Sequence, residues 1–168
     1  MPDYRRATRA CPFDQLQPEL ANAIRDHLQA QNLSSLIDEA LLCCETTSDQ
    51  IGTSWLDALP GGDPDTISYL ALILTPQRLI WARHGDRSAA TVASAPLSDL
   101  FVKVFRPRNT RDFGLQVNVR MAGTRSRVTG QLLLGSEPAA ERFCQELGRV
   151  MHIPTTPENR SWRRWLGS

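Results

Sequence analysis

The residues of this chain best able to do chemistry are three histidines and four cysteines, and their spacing gives them little to do together. His27, His84 and His152 fall on a helix, a turn and a helix end, with no HExxH or HxH spacing to gather a metal. His84 lies beside Asp86 in a turn, where a single histidine is an ordinary surface residue before it is a catalyst. No nucleophile elbow, phosphate loop or dinucleotide fingerprint occurs. Cys11, Cys43, Cys44 and Cys144 contain no CxxC pair. Cys43 and Cys44 are adjacent, so on a strand they point to opposite faces and make a poor shared metal site. The sequence thus predicts a non-enzyme with no catalytic residue, no metal and no cofactor. Its thiols read as the buried, reduced cysteines of a cytoplasmic protein.

Binding chemistry has more to work with. Residues 100–130 hold Lys103, Arg106, Arg108, Arg111, Arg120, Arg125 and Arg127 against Asp112 alone. Arg106, Arg108 and Arg111 share one turn and Arg125 and Arg127 the next, so an antiparallel meander sets them at opposite ends as two clusters. A solvated face is the simpler reading; anionic lipid or a nucleic-acid backbone is the functional one. Aromatics for base stacking are not interleaved with these arginines, which disfavours sequence-reading of RNA, and nucleic acid is not the expected partner. The tail places Trp162, Trp165 and Leu166 on one side of a helical turn, flanked by Arg163 and Arg164, a composition suited to a bilayer interface. One turn anchors weakly, so any membrane contact is expected to be weak. Residues 51–65 form a Pro- and Gly-rich loop that offers Trp55, Leu56 and Leu59 for apolar docking of a protein partner.

The elements that must position these groups are read from apolar periodicity. Leu20, Ile24 and Leu28 recur every four residues over Pro18–Gln31 and predict a helix, with Asn32 as its stop. Ser35–Asp38 resembles a capping box that opens a short second helix. Strands are expected at Leu41–Gln50, Ile67–Leu74, Arg78–Arg83, Thr91–Ala95, Phe101–Phe105, Phe113–Met121 and Arg127–Leu134. Ile67–Leu74 is apolar on both faces, the mark of a strand covered twice. Pro76 is preset for a type I turn at Thr75–Arg78. Gly135-Ser136 is expected to cap a closing helix that runs to about Met151, with Pro138 in its first turn. Residues 1–12 carry Arg5, Arg6 and Arg9 without apolar period and read as a loose basic arm.

At 168 residues the chain can build one domain with a real core. Its longest apolar run, Leu70–Leu74, is far short of the roughly 20 residues of a membrane helix. No apolar run follows Met1, so no signal peptide is expected. Charge is lopsided: residues 1–77 hold four basic and eleven acidic groups, a net of −7, and residues 78–168 fifteen and seven, a net of +8.

Seven antiparallel strands followed by one amphipathic helix resemble the plan of the pleckstrin-homology barrel. The wording Ile73-Leu74-Thr75-Pro76-Gln77-Arg78-Leu79-Ile80-Trp81, and Pro96–Leu100 before the next strand, resembles bacterial pleckstrin-homology-like and GRAM-like domains. The resemblance covers roughly residues 40–151. It implies a mostly β fold of α+β type: an antiparallel barrel of about seven strands closed by a C-terminal helix, with an N-terminal helical extension. The division is then 1–39 for the basic arm and helical extension, 40–152 for the barrel and its helix, and 153–168 for the tail. Lipid-binding members grip phosphates through basic residues of the first hairpin. Here that loop has Asp57, Asp63 and Asp65 and no Lys or Arg, so the grip does not carry over. What remains is a non-catalytic binding or scaffolding module that recognises protein or self-assembles as a homo-oligomer. Peripheral association with anionic membrane, through Arg106, Arg108, Arg111, Arg125, Arg127 and the tail, is the alternative.

Overall fold

A computed structural model of the chain describes residues 3–51, 65–107, 110–120 and 127–152. In chain order the elements are β1 (Asp3–Ala10), α1 (Pro18–Ala30), β2 (Leu42–Ile51), β3 (Ile67–Leu74), β4 (Arg78–Gly85), β5 (Thr91–Pro96), β6 (Leu100–Phe105), β7 (Gly114–Arg120), β8 (Arg127–Leu133) and α2 (Pro138–Val150). Strands β1 to β5 form one antiparallel sheet in chain order, and β6 to β8 form a second.

The period seen in the sequence makes α1. Leu20, Ile24 and Leu28 are fully buried, Pro18 opens the helix where its missing N–H costs nothing, and the Gln17 side chain accepts from Glu19 N at 3.2 Å. Asn32 follows in the left-handed region at φ 56°, a position asparagine tolerates better than most residues, and the helix stops before it. Strand β3 is buried from Leu70 to Leu74 because both of its faces are covered. Ala71 and Ile73, with Ile80 and Ala82 of β4, pack under α1. Leu70, Leu72 and Leu74 face Val102, Leu115, Val117 and Leu132 of the second sheet and Phe143 and Leu147 of α2. The five-stranded sheet therefore separates two cores, and β3 belongs to both.

The expected seven-strand barrel closed by a C-terminal helix does not form. The described residues make two sheets, of five and three strands, with no closed barrel. Two causes are visible. Between β5 and β6 the chain reaches Pro96, which has no N–H to donate, and a 3-10 turn at Leu97–Asp99, so the ladder breaks. On the other side β1 and the end of β8 meet through side chains rather than a ladder: Thr8 N donates to the Glu137 carboxylate at 2.8 Å, and Gly135 N donates to Thr8 Oγ1 at 2.7 Å. Helix α2 lies beside β1 and β2 with Ala140, Phe143, Cys144 and Leu147 buried.

The loose arm expected over residues 1–12 is also corrected, because Asp3–Ala10 pairs with residues 44–51 of β2 as an eighth strand. The second helix expected from Ser35 is a single 3-10 turn, Ser34–Ile37. Glu137 rather than Ser136 occupies the cap of α2, and it makes no side-chain capping bond because its carboxylate is turned to Thr8. In the β3–β4 turn, Thr75 N donates to Arg78 O at 3.0 Å, while Arg78 N donates to the buried Thr75 hydroxyl at 2.9 Å.

Candidate functional site

Function in a fold of this kind lives in its rims and free edges rather than in its cores. Of the residues the sequence singled out, Trp55, Leu56, Leu59, Arg108, Arg125, Trp162, Arg163, Arg164 and Trp165 lie outside the described residues. So do Asp57 and Asp63 of the acidic loop. For Arg127 the strand position alone is described, opposite Arg120 at the far end of the β7–β8 pair. Arg106 sits at the other end, beyond the Phe105–Gly114 pair. Arg106 and Arg127 are thus at opposite ends of the second sheet.

Arg106 already has work in the fold. Its guanidinium lies over the Phe113 ring at 4.6 Å, and its Nη1 donates to Arg111 O at 3.3 Å, which braces the turn. Arg111 is exposed. Asp65, from the same acidic loop as Asp57 and Asp63, is a structural anchor: it is buried and accepts from the backbone N–H of Arg87 at 2.9 Å and from the Ser88 hydroxyl. Burial alone would raise its pKa, yet these donors hold it below the usual value. Gly85 leaves room for that carboxylate, since a Cβ there would collide with Asp65.

The histidines take three separate places. His27 Nε2 lies 3.0 Å from Ser94 Oγ and 3.0 Å from the Gln31 amide, and so ties α1 to β5. Burial, helped by the nearby Arg78 charge, lowers its pKa and keeps the ring neutral at pH 7. His84 stacks on Tyr69 with centroids 6.4 Å apart, and His152 is exposed just past α2. Among the described residues no three His, Cys, Asp or Glu side chains are grouped to hold a metal ion. Cys43 and Cys44 do diverge, into the α1 core and the inter-sheet core respectively.

Strand β1, unseen in the sequence, brings the strongest polar contacts. Glu45 is 4% exposed and accepts from Arg9 Nη2 at 2.9 Å and from Gln17 N at 2.6 Å, joining β1, β2 and the start of α1. Thr8 and Thr46 share a buried hydrogen bond of 2.8 Å, and Arg6 reaches Asp112 at 3.2 Å. The Arg9–Glu45 and Thr8–Thr46 pairs bind β1 to β2, while the Glu137 carboxylate at Thr8 N and Asp112 at Arg6 reach β1 from beyond the sheet.

The other edges are less protected, and β8 is the most open. Leu134 N donates to Phe113 O at 2.8 Å, so residues 132 and 130 turn their N–H groups toward β7 and Thr129 and Gln131 turn theirs outward. Thr129, Gly130 and Gln131 are all exposed, and nothing lies within 4 Å of where a Cβ on Gly130 would stand. Among the described residues no strand pairs with this edge. By contrast β6 carries Lys103 at mid-strand, and β5 ends in Pro96 with Ser94 held by His27 and Arg78. Natural sheets blunt their edges with such charges and prolines, which the centre of β8 lacks. Large apolar side chains are exposed elsewhere on the rim too: Ile51 and Ile67, at the two roots of segment 52–64, and Phe101 on β6.

Among the described residues no helix is long and apolar enough to cross a membrane. Comparison with protein-family models, with curated proteins and with solved structures gives no match to this chain.

Proposed function

We propose that this protein is a non-catalytic binding module that takes an extended segment of a protein partner, or of a second copy of itself, along the free edge of β8. The observation that carries this reading is the outward-facing backbone of Thr129 and Gln131 on an exposed strand without a charge or proline at its centre. An added strand gains main-chain hydrogen bonds there, and the missing side chain at Gly130 leaves space for one from the partner. The exposed Ile51 and Ile67 extend the apolar rim on the first sheet. Membrane association is favoured by no described contact, since Arg106 is held by Phe113 and the carbonyl of Arg111.

The test is a proline at the edge. Gln131→Pro removes an N–H that points away from β7, so the β7–β8 ladder keeps its bonds while strand addition is blocked. In a pull-down from its own host, the wild-type chain retains a partner, or a labelled second copy, that Gln131→Pro loses by about tenfold or more, a change of about 1.4 kcal/mol. Equal retention by both chains removes β8 as the site.

A further inference from the structure

We propose that Cys11 and Cys43 form an oxidation site, at which hydrogen peroxide joins the two facing thiols into a disulfide that staples the end of β1 to β2. The register places them together. Ala10 pairs with Cys44, and one step further Cys11 N donates to Cys43 O at 3.1 Å, so the two cysteines stand directly opposite each other. Opposed residues in an antiparallel pair point to the same face, here the one under α1, where both belong to the same apolar cluster. Cα atoms of a hydrogen-bonded antiparallel pair are about 5.5 Å apart, inside the range a disulfide spans. The two thiols are close enough to bias each other's ionisation.

The surroundings give the two sulfurs different roles. Burial pushes both pKa values up, that of Cys43 to about 12; the Arg9 guanidinium offsets part of the rise at Cys11, which stays above its ordinary value but rises less. Each thiol also acts on the other, lowering Cys11 and raising Cys43, so the Cys11 thiolate is the easier of the two to form. Cys11 is therefore the attacking thiolate and Cys43 the resolving thiol. Cys11 thiolate attacks one peroxide oxygen, the O–O bond breaks, hydroxide leaves, and Cys11 becomes a sulfenic acid. The Cys43 sulfur then displaces the sulfenic oxygen, which departs as water with the Cys43 proton. In sum two thiols lose two electrons and two protons, and one peroxide becomes two waters. Cys11 is only 7% exposed, so peroxide reaches it from the side of the half-buried Cys43 that stands opposite. The remaining cysteines are placed otherwise: Cys44 and Cys144 are 2% and 3% exposed in the inter-sheet core, on β2 and α2, with no strand register that opposes them.

The reduced full-length chain is treated with excess hydrogen peroxide and digested without reductant. The expected result is an intact mass lower by two hydrogen atoms, and a single crosslinked peptide pair that joins Cys11 to Cys43 and is separated by dithiothreitol. The rate rises about tenfold per pH unit below the thiol pKa, because only the thiolate attacks. Cys11→Ser slows oxidation at Cys43 about tenfold or more, whereas Cys144→Ser leaves the crosslink unchanged. Oxygen adducts on Cys43 without a crosslink, a crosslink between Cys44 and Cys144, or unchanged Cys43 oxidation in Cys11→Ser would each overturn the proposal.

Discussion

Single side chains hold this molecule together at places where the backbone cannot. The Thr75 hydroxyl accepts the Arg78 N–H at 2.9 Å and lies 3.2 Å from Arg78 O, fully buried in the β3–β4 turn. Thr75→Val keeps the shape and orphans that N–H, which should cost about 1–3 kcal/mol in urea unfolding. His27 gives a pH signature. Its folded pKa lies below the ordinary 6.5, so the unfolded chain binds more protons there and stability falls as pH drops below about 6.5. Thermal melts across that window should show the fall in the wild type and a flatter profile in His27→Gln. The turn proline and the stop at Asn32 were legible at this scale, because φ preferences are local. The Thr8–Glu137 and Gly135–Thr8 bonds were not, since each joins residues nearly the whole chain apart.

Elements built by apolar period were readable from the sequence, and those built by polar contact were not. Helix α1 and strand β7 lie within a few residues of their expected bounds because Leu20, Ile24 and Leu28, or Leu115, Val117 and Val119, repeat at the helix and strand periods. Strand β1 has no such repeat. One of its faces is Tyr4, Arg6 and Thr8, which stand opposite Gln50, Ser48 and Thr46 of β2. Arg6 reaches on to Asp112 and Thr8 to Glu137, so nothing local marks Asp3–Ala10 as extended. Strand ends are set as tightly as strand interiors. Gly85 closes β4 against the Asp65 carboxylate, and Gly85→Ala should destabilise by about 1–3 kcal/mol in denaturant titration through that collision. A wild-type midpoint in Gly85→Ala would show that Asp65 can move aside at no cost.

At the scale of the whole molecule, strand count and a closing helix were enough to suggest a barrel but not to close one. Closure depends on whether two distant edges share a ladder, and the sequence carries no signal for that. Here a proline and a 3-10 turn separate β5 from β6, and Glu137 and Thr8 bridge the opposite gap with side chains. The result is two open sheets around two cores, with the centre of β8 the least guarded edge. The most direct measurement is residue-resolved amide hydrogen exchange of the full chain, alone and bound to the captured partner. Strand addition at β8 predicts that the Thr129 and Gln131 amides become protected on binding, while Gly130 and Leu132, already bonded to β7, change little. Protection that leaves Thr129 and Gln131 unchanged would contradict the account.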